Sequence, residues 1–176
     1  MPEQELKKDN PAGLGNSQLS VSDGQAGLPT FAEIGLGQFA PYLMNRIANR
    51  WNADNQETLR KLGLTTTQMR ILAVLTTGDM HSIGELSTLA VTEQSTLSRA
   101  LDNMEKADLI ERRQRKGDNR FVDIRLTTFG WTRFDEIWPS MYAGYQDMLT
   151  GISEDEHAAF LKTLHKLLNN IRKTDF

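Results

Sequence analysis

The sequence predicts a mainly helical protein with one small β-hairpin. Apolar residues recur three or four positions apart in several segments, which is the spacing of amphipathic helices. Three of these segments follow a Ser or Thr with a Glu or Gln three residues later, the pattern of a capping box at a helix start. Two short runs with β-favouring residues flank the turn sequence Lys116-Gly117-Asp118-Asn119, and together they predict the hairpin.

Composition restricts the classes of function. The chain has 176 residues and 39% hydrophobic content, which suits one globular domain or two closely packed ones. It contains no cysteine, so disulfides, thiolate metal sites and thiol nucleophiles are excluded. The three histidines form no i,i+4 pair, and neither a phosphate-binding loop nor a Gly-x-Ser-x-Gly motif occurs. We therefore expect no catalytic site, no bound metal and no cofactor.

Targeting signals are not apparent in the sequence. No apolar run approaches the roughly 20 residues that span a bilayer. The first residues, MPEQELKKDNPAG, lack the apolar core of a secretory signal. These observations predict a cytoplasmic protein that does not associate with membranes.

Four parts are predicted along the chain. Residues 1–30 are rich in Gly, Ser, Gln, Asn and Pro, which is typical of a flexible tail. Residues 31–62 are predicted to form an amphipathic helix, residues 63–127 three helices and the hairpin, and residues 128–176 two more helices. Pro139 is expected to kink the fifth helix or to begin a new segment. The apolar stripe of the first helix consists of Leu36, Phe39, Leu43 and Ile47.

The three helices of the middle part have recognisable starts. Thr65 and Ser82 head the capping boxes of the first two, and Thr92 is expected to cap the third, which runs to about Ala107. The second of these helices should bury Ile83, Leu86 and Leu89.

The third of these helices has two chemically distinct faces. The apolar face, which is predicted to be buried, consists of Leu97, Ala100, Leu101, Met104 and Ala107. The polar face consists of Gln94, Ser95, Ser98, Arg99 and Asp102. Short hydroxyls, an amide and an arginine suit hydrogen bonds to base edges and phosphates in a DNA major groove.

The hairpin concentrates positive charge in a chain whose formal net charge is −3. From Glu111 to Arg125 there are six basic and three acidic residues, a local net charge of +3. A basic ribbon can reach a narrow A·T-rich minor groove, and Arg120 is the candidate for insertion there. Asp118 would repel DNA, so we expect it to hold a nearby guanidinium or the turn. The candidates for phosphate contacts are Arg113, Arg115 and Lys116.

Three segments resemble, in order and spacing, the winged helix-turn-helix of the MarR family of bacterial regulators. They are LTTTQMRILAVL, IGELSTLAVTEQSTLSRALDNMEKADLIERR and KGDNRFVDIRLTTFG. The resemblance extends from about Phe39 to the C-terminus. It implies a winged helix-turn-helix head on a helical dimerisation layer formed by the first, fifth and sixth helices. It also implies a homodimer that binds a palindromic site in double-stranded DNA.

The resemblance also assigns DNA-contact positions. Those of the recognition helix are Ser95, Thr96, Ser98 and Arg99. The wing positions are Asp118 and Arg120. Many members carry Asp-Arg-Arg in the wing, whereas this chain has Asn119 in the middle, which removes one cation from the wing.

A small-molecule effector is implied by the same resemblance. Most members are repressors that small molecules release, often phenolic or aromatic carboxylates. Effectors often bind where the first helix meets the second and fifth, which makes Arg46, Trp51, Met69 and Ala73 the ligand candidates. Arg46 could pair bidentately with a carboxylate.

Other interpretations of these residues remain open. The charged hairpin could be a solvated loop, Trp51 and Met69 could be core residues, and Arg46 could form a surface ion pair. The fold could serve protein–protein interaction without DNA, or transcriptional activation. An interaction module predicts that charge reversal at Arg99 and Arg120 leaves partner binding unchanged.

Overall fold

The computed structural model describes residues 28–78, 82–115 and 118–171, with side chains except at 115 and 118–121. The helices are α1 (Phe31–Ile34), α2 (Ala40–Lys61), α3 (Thr66–Leu75), α4 (Ile83–Leu89), α5 (Gln94–Lys106), α6 (Thr128–Met148) and α7 (Glu154–Ile171). The strands are β1 (Ile110–Arg115) and β2 (Asp118–Leu126). The predicted mainly helical class with one hairpin is confirmed. The predicted N-terminal tail lies almost wholly outside the described residues.

The first predicted helix is divided in the structure. Thr30 and Glu33 form a capping box at the start of α1, which was not predicted from the sequence. Gly35, at a φ of +72°, ends α1, and a 3-10 turn leads into α2. Glycine has no Cβ, so it adopts this backbone region at low cost, and the chain can change direction there.

The chain forms two compact units, one up to Arg50 and the other from Trp51 onward. In the second unit, the core takes side chains from α3, α4, α5, the hairpin and α6. The largest fully buried side chains are Ile71, Leu72, Leu86, Leu97, Leu101, Met104, Ile110, Ile124 and Ile137. The predicted capping boxes of Thr65 and Ser82 are both present, which fixes where α3 and α4 begin.

The hairpin is antiparallel, and its register changes near the tip. Pairing is regular from Ile110 opposite Leu126 to Gln114 opposite Val122, after which Arg115 lies opposite Asp118. β2 therefore begins before the predicted start at residue 121. The prediction that Asp118 and residue 119 belong to the turn is therefore wrong. Pairing resumes after the register shift, with Arg115 opposite Asp118, so the strand includes both residues.

A close contact joins the base of the hairpin to α6. The Thr127 hydroxyl accepts a hydrogen bond from the Gly130 amide at 3.0 Å and donates to the carbonyl oxygen of Asp108. A Cβ atom added at Gly130 would lie 2.0 Å from the carbonyl oxygen of Leu109. Only glycine permits this approach, so the hairpin and α6 are held together through backbone contact.

The two C-terminal helices differ in how much they bury. α6 continues through Pro139 without ending, so the alternative that Pro139 begins a new segment is wrong. Proline removes only one intrahelical hydrogen bond, and the helix extends far on both sides. The predicted capping pair of Ser153 and Glu156 opens α7, whose described residues include none that is buried. No helix in the described ranges has the length and apolar character needed to cross a membrane.

Candidate nucleic-acid interface

The apolar face of α5 anchors this helix in the core. Leu97, Leu101 and Met104 have no solvent exposure, as their spacing predicted. Ala107 is exposed, which contradicts the prediction that it packs inward. The helix ends at Lys106, and Asp108, at a φ of +58°, turns the chain towards β1 immediately afterwards. Ala107 therefore lies beyond the packed part of the helix.

The opposite face of α5 is fully presented to solvent. Its candidate DNA-contact residues, all exposed, are Gln94, Ser95, Thr96, Ser98 and Arg99. Within the described part of the chain, the side chain of Arg99 has neither an ion-pair partner nor a hydrogen bond. A guanidinium in this state can bind an external acceptor without first breaking an intramolecular contact.

The turn before α5 differs from its prediction in two ways. Glu93, not Thr92, is the N-cap residue of α5, and its side chain makes no capping hydrogen bond. Thr92 instead belongs to the C-terminal cap of α4, because its N–H donates to the Ser87 carbonyl at 3.1 Å. Leu89, predicted to point inward, is 45% exposed because α4 ends at that residue.

Arg112 links α5 to the hairpin. Its guanidinium donates to Asp102 at 2.8 Å and to Glu105 at 3.0 Å, and its side chain is only 26% exposed. Arg112 thereby ties β1 to α5, and its positive charge is compensated by two carboxylates. This contact was not predicted from the sequence, since its partners lie ten and seven residues away across a turn.

A second ion-pair group lies on the hairpin. Arg113 donates to Glu111 at 3.0 Å, and Arg125 donates to the same carboxylate. The hydrogen bond from Arg125, and then that from Arg113, holds the pKa of Glu111 below its ordinary value, so Glu111 is ionised at neutral pH. The positive charges of Arg113 and Arg125 are therefore partly compensated before any DNA is present.

The remaining wing candidates fall outside what the structure describes. Lys116 is not described, and no side chain is described for Arg115, Asp118, Asn119 or Arg120. The predicted roles of these residues in phosphate contact, turn structure and minor-groove insertion stay predictions.

The ligand candidates have different surroundings. Arg46 is exposed in the first part of α2, with its guanidinium 5.8 Å from the centre of the Tyr42 ring. Trp51 is half-buried, and its ring lies 3.6 Å from the position of a Cβ added at Gly144 in α6. Met69 is buried in the core at 3% exposure, and Ala73 packs against that core.

Known proteins share this arrangement. The MarR family model matches residues 64–122, which include α3, α4, α5, β1 and the first part of β2. A MarR-family transcriptional regulator from Silicibacter pomeroyi is 44% identical and superposes with a TM-score of 0.78, covering 84% of this chain and all of that one. The chain belongs to the MarR family. A second MarR-family regulator, from Silicibacter pomeroyi DSS, is 29% identical with a TM-score of 0.75, over 84% of this chain and all of its own.

Two curated relatives are named as transcriptional repressors. The HTH-type transcriptional repressor IacR of Pseudomonas putida is 22% identical over 143 residues, which is 81% of this chain and 86% of that protein. The repressor YetL of Bacillus subtilis is 24% identical over 145 residues, 81% of this chain and 87% of that protein. Family membership confirms the winged helix-turn-helix fold. It also identifies the chain as a transcriptional regulator and not an enzyme.

Proposed function

We propose that this MarR-family protein is a cytoplasmic transcriptional repressor that binds a palindromic DNA operator as a homodimer and is released by a small aromatic carboxylate. The observation that carries the proposal is the exposed polar face of α5, on which Arg99 has no partner among the described residues. It lies on a helix that is anchored in the core by the fully buried side chains of Leu97, Leu101 and Met104, so the contact surface is rigidly presented. Rigid presentation lowers the entropic cost of binding.

DNA is the partner that suits this face. Hydroxyl, amide and guanidinium groups match the hydrogen-bonding groups of base edges and phosphates. In the proposal, α5 enters the major groove with Gln94, Ser95, Thr96, Ser98 and Arg99. The wing follows the adjacent backbone with Arg113, Lys116 and Asn119, inserts Arg120 into the minor groove, and is structured by Asp118.

A second copy of the chain is the proposed partner of α7. Most helices in proteins depend on packing of their apolar face, yet α7, with 18 residues, has no buried residue. The exposed large apolar residues of α7 are Phe160, Leu161, Leu167, Leu168 and Ile171, with exposed fractions from 37% to 55%. A two-fold interface would bury the same face on both copies.

A carboxylate effector is proposed for the residues around Trp51. Trp51 approaches α6 at Gly144, and an aromatic ring in such a position offers an apolar surface to an aromatic ligand. By the family resemblance, Arg46 would supply the positive charge for the carboxylate. Met69 and Ala73 are the further ligand residues that the same resemblance implies.

Replacement of Arg99 tests the DNA-binding proposal. Arg99→Ala should weaken binding to a duplex selected from genomic DNA by roughly 1–3 kcal/mol and relax the preference at one base pair. Arg60→Ala is the matched control, because it also removes one cation, from an exposed ion pair with Glu57 near the end of α2. Fluorescence anisotropy should find the control within about twofold of the wild type. Equal affinities of Arg99→Ala and the wild type on every duplex would contradict the proposed recognition face.

Thermal denaturation tests the effector proposal. An aromatic carboxylic acid that binds the folded protein should raise its melting temperature, by an amount that grows with ligand concentration. The uncharged methyl ester of the same acid should raise it less, and Arg46→Ala should remove the difference between acid and ester. If no acid in a panel changes the melting temperature, or if Arg46→Ala responds like the wild type, the proposed site is wrong.

A further inference from the structure

The turn between α4 and α5 contains a backbone outlier. Val91 has a φ of +50°. Its N–H donates to the Thr88 carbonyl at 3.3 Å, and the Thr92 N–H donates to the Ser87 carbonyl at 3.1 Å. This pair of bonds defines a Schellman motif, in which the residue at the position of Val91 is usually glycine. A β-branched residue at a positive φ is unfavourable, because its side chain crowds the backbone.

Two other helix ends in the chain use the same motif with favourable residues. Gly63 ends α2 at a φ of +69°, with the Leu64 N–H bonded to the Leu59 carbonyl at 2.9 Å. Asp108 ends α5 at a φ of +58°, with the Leu109 N–H bonded to the Met104 carbonyl at 2.9 Å. Glycine and aspartate tolerate this backbone region. Val91 is thus the unfavourable choice among these three ends.

Packing inside the chain does not explain the valine. Its side chain is 75% exposed, so it gains little burial in return for the unfavourable backbone. The valine also brings no hydrogen-bonding group. An isopropyl group at this position can contribute only an apolar contact, and the described part of the chain supplies little of one.

The location of Val91 indicates which partner would supply this apolar contact. Val91 lies three residues before Gln94, the first residue of α5, at the same end of the helix as Ser95 and Arg99. If the N-terminal part of α5 enters a major groove, the preceding turn reaches the edge of that groove. The apolar group that a base pair presents there is the C5 methyl group of thymine.

We propose that Val91 packs against a thymine methyl group in each half-site and so helps to specify thymine at that position. This inference rests on the proposed DNA-binding function. It adds a base-specific apolar contact from the helix-turn-helix turn to the polar contacts of α5.

The test replaces thymines singly by deoxyuridine, which lacks only the C5 methyl group, in the best duplex selected from genomic DNA. For the wild type, a single replacement at one particular position of a half-site should lower the affinity about fourfold, the factor that corresponds to one buried methyl group. For Val91→Gly, the same replacement should have no effect, while the other positions keep their wild-type pattern. Fluorescence anisotropy measures each dissociation constant.

Two controls accompany this measurement. Val91→Gly should melt at or above the wild-type temperature, since glycine fits a φ of +50° without crowding. Leu89→Ala removes a nearby exposed apolar side chain at 45% exposure and should retain the deoxyuridine sensitivity.

The outcomes separate the inference from the proposed function. If no replacement affects the wild type, or if Val91→Gly shows the same sensitive position as the wild type, Val91 does not contact a thymine methyl group and the inference is wrong. If the wild type binds no duplex at all, the proposed DNA-binding function is itself wrong, and the inference about Val91 is then wrong too.

Discussion

Leu168→Arg should convert the protein into a monomer and lower its operator affinity at least a hundredfold. Leu168 is 51% exposed on the apolar face of α7, where the proposed two-fold interface lies. A symmetric interface would place an unpaired guanidinium in each of two apolar contacts, at a cost on the order of several kcal/mol per charge. A monomer would also lose the gain of about 10²–10⁴ in affinity that comes from engaging two half-sites together.

The neighbouring residue supplies the control for this variant. Asn169 is exposed on α7 and lies about 100° around the helix from Leu168, on its polar side. Asn169→Arg adds the same charge and should remain dimeric with wild-type affinity. Extra cations would strengthen non-specific attraction to DNA, so weaker binding by Leu168→Arg cannot come from the charge itself. Sedimentation velocity and fluorescence anisotropy measure mass and affinity. A dimeric Leu168→Arg variant would exclude α7 from the interface.

Gly130→Ala should strongly destabilise the folded protein, although it adds only one methyl group. The new Cβ would lie 2.0 Å from the Leu109 carbonyl oxygen and 3.3 Å from a methyl group of Leu126. The nearest obstacle is backbone, so relief requires the hairpin base to move away from α6. We expect a loss of roughly 1–3 kcal/mol or more in the free energy of unfolding.

Gly144→Ala is the matched control, because it adds a methyl group to the same helix. Its nearest neighbour is the Trp51 ring at 3.6 Å, an ordinary van der Waals distance. Alanine is favoured over glycine inside a helix by roughly 0.5–1 kcal/mol, so this variant should be at least as stable as the wild type. Urea unfolding measures both. Equal stability of the two variants would mean that α6 does not make a close backbone contact with the hairpin at Gly130.

Local patterns in the sequence were sufficient to predict most helix starts and the buried face of α5. The boxes at Thr65 and Ser82 each depend on two residues three positions apart, and such short-range chemistry can be recognised without a structure. The helical spacing of apolar residues, three or four positions apart, likewise predicted that Leu97 and Leu101 would be buried. The exposed group around Arg99 followed from the same periodicity.

Features that depend on tertiary contacts could not be predicted in this way. The ion pairs of Arg112 join β1 to Asp102 and Glu105 on α5. Because these partners lie on another element, Arg112 was included in the net positive charge predicted for the hairpin. The exposure of Leu89 follows from where α4 ends, and that end depends on hydrogen bonds made by Thr92. Local charge counting therefore overstated the free positive charge of the hairpin, since Asp102 and Glu105, which lie outside the counted stretch, compensate Arg112.

The salt dependence and stoichiometry of operator binding test the central claim most directly. Wild-type protein should be titrated onto one fluorescent palindromic duplex in an analytical ultracentrifuge at several salt concentrations. We predict two protomers per duplex and an affinity that falls by about 10³–10⁵ between 50 mM and 200 mM salt if six to ten phosphates are contacted. A complex with a single protomer, or an affinity that does not change with salt, would contradict a symmetric pair of winged heads seated on DNA.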